Sequence, residues 1–240
     1  MLEGLVIGDP RGEEKMKIML LVVIAMIGFG VVAYGEDKKT EGTAVVQIKL
    51  PKPAYTGTPK NIPPGTTAEK PTGKPRAPWS APAGVKNLAL NRPVTASDKD
   101  PIIGKLEQVT DGDKEGSDGS WVELGPGLQW VQIDLGKTAD IYGILLWHQH
   151  GDPRIYRDVV VQVADDPDFI EHVRTVFNND QDNSAGLGLG KDNEYFEMAE
   201  GKLIEVKGLK ARYVRCYSKG STSDEQNHYI EIEVHGKAGK

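Results

Sequence analysis

Trp130-Val131-Gln132-Ile133-Asp134-Leu135 (WVQIDL) alternates apolar and polar side chains. A period of two places Val131, Ile133 and Leu135 on one face of an extended strand, and Gln132 and Asp134 on the other. Residues 141–147 follow as an almost wholly apolar run, and Val159-Val160-Val161-Gln162-Val163 presents valines again. Near the C-terminus, Tyr213-Val214-Arg215-Cys216-Tyr217 and Tyr229-Ile230-Glu231-Ile232-Glu233-Val234 repeat the two-residue period. Gly, Asp, Asn and Pro punctuate these runs at short intervals, and no sustained 3.6-residue pattern interrupts them. The pattern predicts an all-β antiparallel sandwich or jelly roll. A domain of about 150 residues buries roughly 68–70% of its unfolded surface, enough for a core without covalent staples.

The rest of the chain is organised differently. Arg11, Lys15 and Lys17 precede an apolar run over 18–33, and Ala33 and Gly35 sit at −3 and −1 of a cut before Glu36. That order predicts a signal peptide over 1–35, with Met16-Lys17 as an alternative start that makes residues 1–15 an upstream extension. The sixteen apolar residues fall short of the roughly 20 that cross a bilayer. Export to the medium, periplasm or cell envelope follows, with no stable membrane insertion after cleavage. Cys216 is the single cysteine, so no internal disulfide is available, and its place in a strand pattern suits a small buried apolar residue.

Residues 51–82 hold nine of the fifteen prolines and show no period, which predicts a proline-rich linker over 36–84. Within it, 44–50 reads as one short strand-like run that could dock on the domain. Residues 36–84 carry eight Lys/Arg against four Asp/Glu, whereas 85–240 carry eighteen against twenty-seven. A basic tether thus precedes an acidic domain, an arrangement that argues against nucleic acid. The domain spans 85–237 and leaves a tail of 238–240.

The residues also resemble a known family. Asn87-Leu88-Ala89 with Pro93-Val94-Thr95-Ala96-Ser97, then Thr110-Asp111-Gly112-Asp113, then Trp130 to Gly136, occur in the order of the factor V/VIII type C, or discoidin, domains. Ala211-Arg212-Tyr213-Val214-Arg215 and Glu231-Ile232-Glu233-Val234-His235-Gly236 continue the series. The resemblance covers about 85–237. It implies an eight-stranded jelly roll with a ligand site on the loops at one end, binding sugars, anionic lipid headgroups or proteins and rarely catalytic. The end-tying disulfide of many animal members is missing here, which moves the chain toward the bacterial galactose-binding-like carbohydrate-binding modules.

Two acidic stretches compete as cation sites. In Val109 to Trp121 (VTDGDKEGSDGSW), Asp111 and Asp113 flank a glycine that permits a tight turn. The residues alone leave two readings open: a cage for calcium, which wants six to eight hard oxygens, or an Asx-rich turn whose acids cap amides. In the resembled family a cation sits in this loop, implying a structural Ca2+ held by Asp111, Asp113, the Gln108 carbonyl, Ser117 or Ser120, and Glu231. Asn178 to Gly186 imitates the start of an EF-hand, but Ala185 stands where the sixth-position glycine belongs and Lys191 where the closing acid belongs. That stretch reads as a surface loop. Gly186 to Lys191 matches no phosphate-loop spacing.

For a ligand, the stretch after Trp147 offers His148, His150, Asp152, Arg154, Tyr156 and Arg157. Such groups bridge hydroxyl pairs and stack on sugar C–H faces. The alternative is that His148 is a satisfied strand residue and Arg157 a partner of Asp158. His172, His228 and His235 are scattered and form no zinc pattern, and no nucleophile–base set supports hydrolysis. The expectation is an exported, non-enzymatic binding module for carbohydrate. An envelope protein-interaction or adhesion domain would instead need an apolar patch at the loop tips, and a hydrolase-like catalytic domain two facing carboxylates of perturbed pKa.

Overall fold

The computed structural model describes residues 42–239 except 56, 58 and 61; the expected signal segment lies outside them. No α-helix occurs among the described residues, and one 3-10 turn, Leu106–Thr110, interrupts the strands. β1 (Thr43–Val45), β2 (Ser80–Pro82), β3 (Lys86–Asn87), β4 (Val94–Ala96) and β5 (Val122–Leu124) are short. The framework is β6 (Gln129–His148), β7 (Val160–Ala164), β8 (Arg174–Asn178), β9 (Lys202–Ser218) and β10 (Asn227–Ala238). Strand order is β3-β10-β6-β9-β7-β8, with β4 on β6 and β5 on β10, all antiparallel.

The two long strands make the sandwich. β6 and β9 break register between Asp134 and Ala139, and a strand that bends at such a break passes from one layer to the other. Before the break β6 pairs with β4; after it, with β10. Val131, Ile133 and Leu135 from the first half meet Ile141, Ile144 and Leu146 from the second in one buried cluster with Val161, Val163, Val214, Ile232 and Val234. The alternation of residues 130–135 is thus the inward face expected of it. Cys216 lies in this core and burial pushes its thiol pKa up, so it behaves as an apolar side chain.

A second, smaller cluster of Leu145, Trp147 and Ile230 lies apart from the main core, with Ile48, Trp121 and Leu203 packed on it. Ile48 belongs to the strand-like run 44–50, which therefore docks, while β1 pairs with β2. The proline-rich stretch does not run free of the sandwich. Trp79 is 7% exposed, and a Cβ added at Gly143 of β6 would lie 2.5 Å from its ring, so the glycine opens a notch for the indole. Glu194 accepts from Thr66 Oγ1 (2.5 Å) and the Thr67 N–H (2.9 Å), and Glu200 accepts from the Arg76 N–H. Tyr55 donates its hydroxyl to the Glu197 carbonyl. Prolines withhold ladder donors, so this stretch attaches by side chains and single amides. Such contacts leave no periodic trace in the sequence.

Candidate functional site

The six residues expected to touch ligand divide sharply. β6 extends through His148, so that imidazole continues the strand pattern and is fully buried. Its Nδ1 lies 2.7 Å from Glu197 Oε1, and its ring stacks on Tyr156 at 4.3 Å. Tyr156 is buried too, its hydroxyl 2.8 Å from His228 Nδ1. Burial raises the Tyr156 phenol pKa and lowers that of His228, although Asp224 and Glu123 pull the latter up. His150 is buried with Nε2 2.9 Å from the Lys114 carbonyl. Arg154, 9% exposed, is closed by Asp152 (2.7 Å) and Asp224 (3.1 Å).

His148, His150 and Tyr156 are therefore internal supports of the loop, out of a ligand's reach in this structure, and Arg154 is a strut between two carboxylates. Asp152 and Arg157 alone of the six present substantial surface. The partners Glu197 and His228 lie 49 and 72 residues away in sequence, which no local pattern reveals.

The first acidic loop hangs from the 3-10 turn. Asp111 Oδ1 accepts the Asp113 N–H at 2.8 Å, and Asp113 Oδ1 accepts the Glu115 N–H at 2.9 Å, the Asx-turn arrangement. The Gln108 carbonyl faces the Asp111 N–H at 3.5 Å, while its side chain spans Lys105 and Gly119. Ser117 and Ser120 face each other at 3.3 Å. Glu231 on β10 is fully buried; its Oε2 accepts the Gly112 N–H at 3.1 Å, and its Oε1 has no partner. Burial pushes this carboxyl up to about 9, against the pull of the Gly112 N–H and Lys114. A buried, half-satisfied carboxylate costs free energy, and Asp111 and Asp113 each keep a second oxygen on the same loop. These are hard oxygen donors of the kind calcium takes, although Asp111, Asp113 and Glu231 do not bring one oxygen each within 4.8 Å of one another.

The carboxylates that converge most closely belong to the other acidic loop. Among the described residues, one oxygen each from Asp158, Asp180 and Asp182 lies within 4.8 Å of the others. Asp180 is buried and accepts the N–H groups of Ser184 (3.0 Å) and Ala185 (2.9 Å). Asp158 accepts Ser184 Oγ at 2.5 Å and lies 3.5 Å from Lys219 Nζ. Here the acids are already answered by amides, a hydroxyl and an ammonium.

Above them opens a polar cavity of about 420 Å³, lined by Arg157, Asp158, Asn179, Gln181, Asp182, Ser184, Glu194 and Lys219, with Gly65 and Thr67. It gathers the loops after β6, β8 and β9. Asp158 holds φ 51°, a left-handed conformation that costs a non-glycine residue free energy and marks functional loops. Asn179 is 4% exposed; its Oδ1 accepts the Val159 N–H at 2.7 Å, and its Nδ2 donor has no partner. The Arg157 N–H is tied to the Gly220 carbonyl at 3.0 Å, while among the described residues no hydrogen bond or ion pair engages its guanidinium. Donors from Arg157, Asn179 and Lys219 thus face acceptors from Asp158, Asp182 and Glu194. Sequence reading missed all of these except Arg157, because they come from three separate loops.

No family model and no curated protein matches the chain. Among solved structures, the chain is similar to CpGH89 from Clostridium perfringens in complex with GlcNAc-α-1,4-galactose, at 17% identity and a TM-score of 0.47. That match covers 63% of this chain and 15% of the other, so this chain spans a small part of that protein. It is also similar to chitosan-binding module 1 from the chitosanase/glucanase of Paenibacillus sp. IK-5, at 22% identity, TM-score 0.43, covering 62% of this chain and 98% of that one. A fucose-binding module of Streptococcus pneumoniae, SpX-3, matches at 19% identity, TM-score 0.44, covering 62% and 96%.

Proposed function

We propose that the chain is an exported, non-catalytic carbohydrate-binding module of discoidin-like type, with its sugar in the cavity above Asp158. One observation carries the reading: an unengaged guanidinium, an unpaired buried amide donor and the exposed Asp182 carboxylate meet in one polar cavity beside a strained residue. Vicinal hydroxyls are donors and acceptors at once, so Arg157 and Lys219 donate to them while Asp158 and Asp182 accept. A structural Ca2+ is proposed for the loop facing Glu231, with Asp111, Asp113 and Glu231 as its acidic ligands. It would hold the loop backbone and supply the charge that Glu231 lacks.

The arrangement gives little support to hydrolysis. Glu231 and Glu233 are displaced in opposite directions, but both are buried, one against Gly112 and the other between Lys114 and His235.

The test is calorimetric titration of neutral and acidic oligosaccharides into the full mature chain, with and without calcium. A binding glycan is expected to lose roughly tenfold in affinity with Arg157→Ala, about 1.4 kcal/mol, at unchanged melting temperature. Arg154→Ala is expected to lower the melting temperature and spare affinity per folded molecule. Affinity unchanged in Arg157→Ala would remove the sugar from this cavity.

A further inference from the structure

Within the proline-rich stretch, Pro63-Pro64-Gly65-Thr66 closes a tight turn in which the Thr66 N–H donates to the Pro63 carbonyl at 3.4 Å. Gly65 takes φ 80°, the left-handed conformation that a type II turn demands directly after a proline in its second position. The Thr66 hydroxyl then accepts the Ala68 N–H at 3.1 Å, a local bond that sets the chain leaving the turn. Thr66 and Thr67 are both half-buried.

What the two threonines meet is the cavity above Asp158. Glu194 Oε2 accepts from the Thr66 hydroxyl and the Thr67 N–H, while Thr67 Oγ1 accepts the Glu194 N–H at 3.1 Å and Gln181 Nε2 at 3.4 Å. Gly65, Thr67, Gln181 and Glu194 all line that cavity. Two of its polar side chains are therefore held by the turn. With Oε2 taken, Glu194 keeps Oε1 as an acceptor that no hydrogen bond engages among the described residues. The turn is itself tethered on both sides, by Tyr55 on the Glu197 carbonyl and by Arg76, whose N–H meets the Glu200 carboxylate and whose Nη1 meets the Gly201 carbonyl at 3.0 Å.

We propose that the turn 63–68 is a working wall of the sugar site, with Thr66 and Thr67 as positioning residues that hold Glu194 and Gln181 for the ligand's hydroxyls. The inference rests on the sugar reading of that cavity and adds to it a part supplied from outside the sandwich. A side chain fixed before the ligand arrives spends less conformational freedom on binding. The coupling is reciprocal: a loosened turn weakens the sugar, and a bound sugar tightens the turn.

The experiment titrates the full mature chain with cellotetraose, galactotetraose, chitotetraose and tetragalacturonate, and repeats the best binder on variants. Thr67→Val keeps the shape of the side chain and removes its hydroxyl; affinity is expected to fall by roughly fivefold, the loss of one neutral hydrogen bond. Thr67→Ser is expected to restore it. Thr72→Val, on the same stretch but outside the cavity and bonded to Lys74, is expected to bind as the wild type does. In the wild type, saturating oligosaccharide is expected to slow hydrogen exchange at the Thr67 and Ala68 amides, which a turn that merely packs on the fold would not show. A loss of affinity in Arg157→Ala with none in Thr67→Val keeps the sugar in the cavity and overturns the wall. Thr67→Ser binding as weakly as Thr67→Val, or exchange unmoved by the sugar, overturns it as well. No binding of any of these oligosaccharides to the wild type overturns the wall together with the sugar reading.

Discussion

The two acidic loops, 109–121 and 178–192, look alike in composition and differ in what their acids do. In the second, Asp180 and Asp182 converge with Asp158 from another loop, yet their oxygens are taken by the amides of Ser184 and Ala185, by a hydroxyl and by Lys219. In the first, Asp111 and Asp113 each turn one oxygen to the backbone, but a fully buried strand carboxylate with one orphaned oxygen abuts the loop. On the calcium site proposed above, crowding of carboxylates is a poor guide to a cation. The better guide is an oxygen that burial has stripped of water and the fold has left unanswered.

The largest effect expected from that contrast is at Glu231. Its folded pKa, about 9, lies above the ordinary 4.5, so the native state holds a proton that the unfolded chain releases. Without calcium, its cost is absent below the unfolded value and grows as pH rises toward 9, reaching on the order of 3 kcal/mol at pH 7. Glu231→Gln is thus expected to raise the melting temperature in chelator at pH 7 by several degrees and to flatten its fall with pH. In calcium at 100 times the dissociation constant, the wild type gains about 2.7 kcal/mol and the variant gains none. Calcium affinity should rise with pH up to about 9, since the ion displaces the proton. Identical melting curves of the wild type in calcium and chelator would break the contrast between the loops.

The same contrast separates what a sequence can show from what it cannot. Alternation in 130–135 and 213–217 is a direct imprint of a sheet with one face buried, and those residues line the core as their period requires. The last strand was less legible: a bulge between Tyr229 and Glu231 puts Tyr229, Ile232 and Val234 in the main core and Ile230 in the smaller cluster. The composition of 51–82 reports the lack of a period, and says nothing of a tryptophan fitted over Gly143. The resemblance made Glu231 a calcium ligand with Asp111 and Asp113; the structure sets its carboxylate on the Gly112 N–H of that loop and does not draw the three acids' oxygens within 4.8 Å of one another. The cavity above Asp158 was illegible because its lining comes from loops that meet only after the sheets form.

A smaller effect is expected from Asp180→Ala. The change orphans the amides of Ser184 and Ala185, each at about 1–3 kcal/mol if buried and less here because Ser184 is exposed. Melting should fall by a few degrees, and hydrogen exchange should quicken across 182–186 before the rest of the sandwich. The calcium response should be retained. Global exchange with no local excess would mean that Asp180 supports the core and not its own loop.

The smallest effect on stability, and the most discriminating, is expected from Asp182→Asn. This carboxylate is exposed, accepts the Ser184 N–H at 2.9 Å, and is held below the usual carboxyl pKa by that bond first. Asparagine keeps an acceptor for the amide, so the melting temperature should stay where it is. If the second loop is indeed self-satisfied, the number of calcium ions bound, read by calorimetry, should not change either. A fall from two ions to one would show that Asp158, Asp180 and Asp182 hold a cation after all and that amides and Lys219 do not suffice. Asp182 also lines the sugar cavity, and there the same substitution replaces a charged acceptor by a neutral one. Charge-assisted hydrogen bonds are roughly twice as strong as neutral ones, so glycan affinity should drop severalfold while calcium stoichiometry and melting stay fixed. Loss of sugar without loss of metal places Asp182 in ligand recognition; loss of both would make the second loop a cation-dependent site and reverse the contrast with the first.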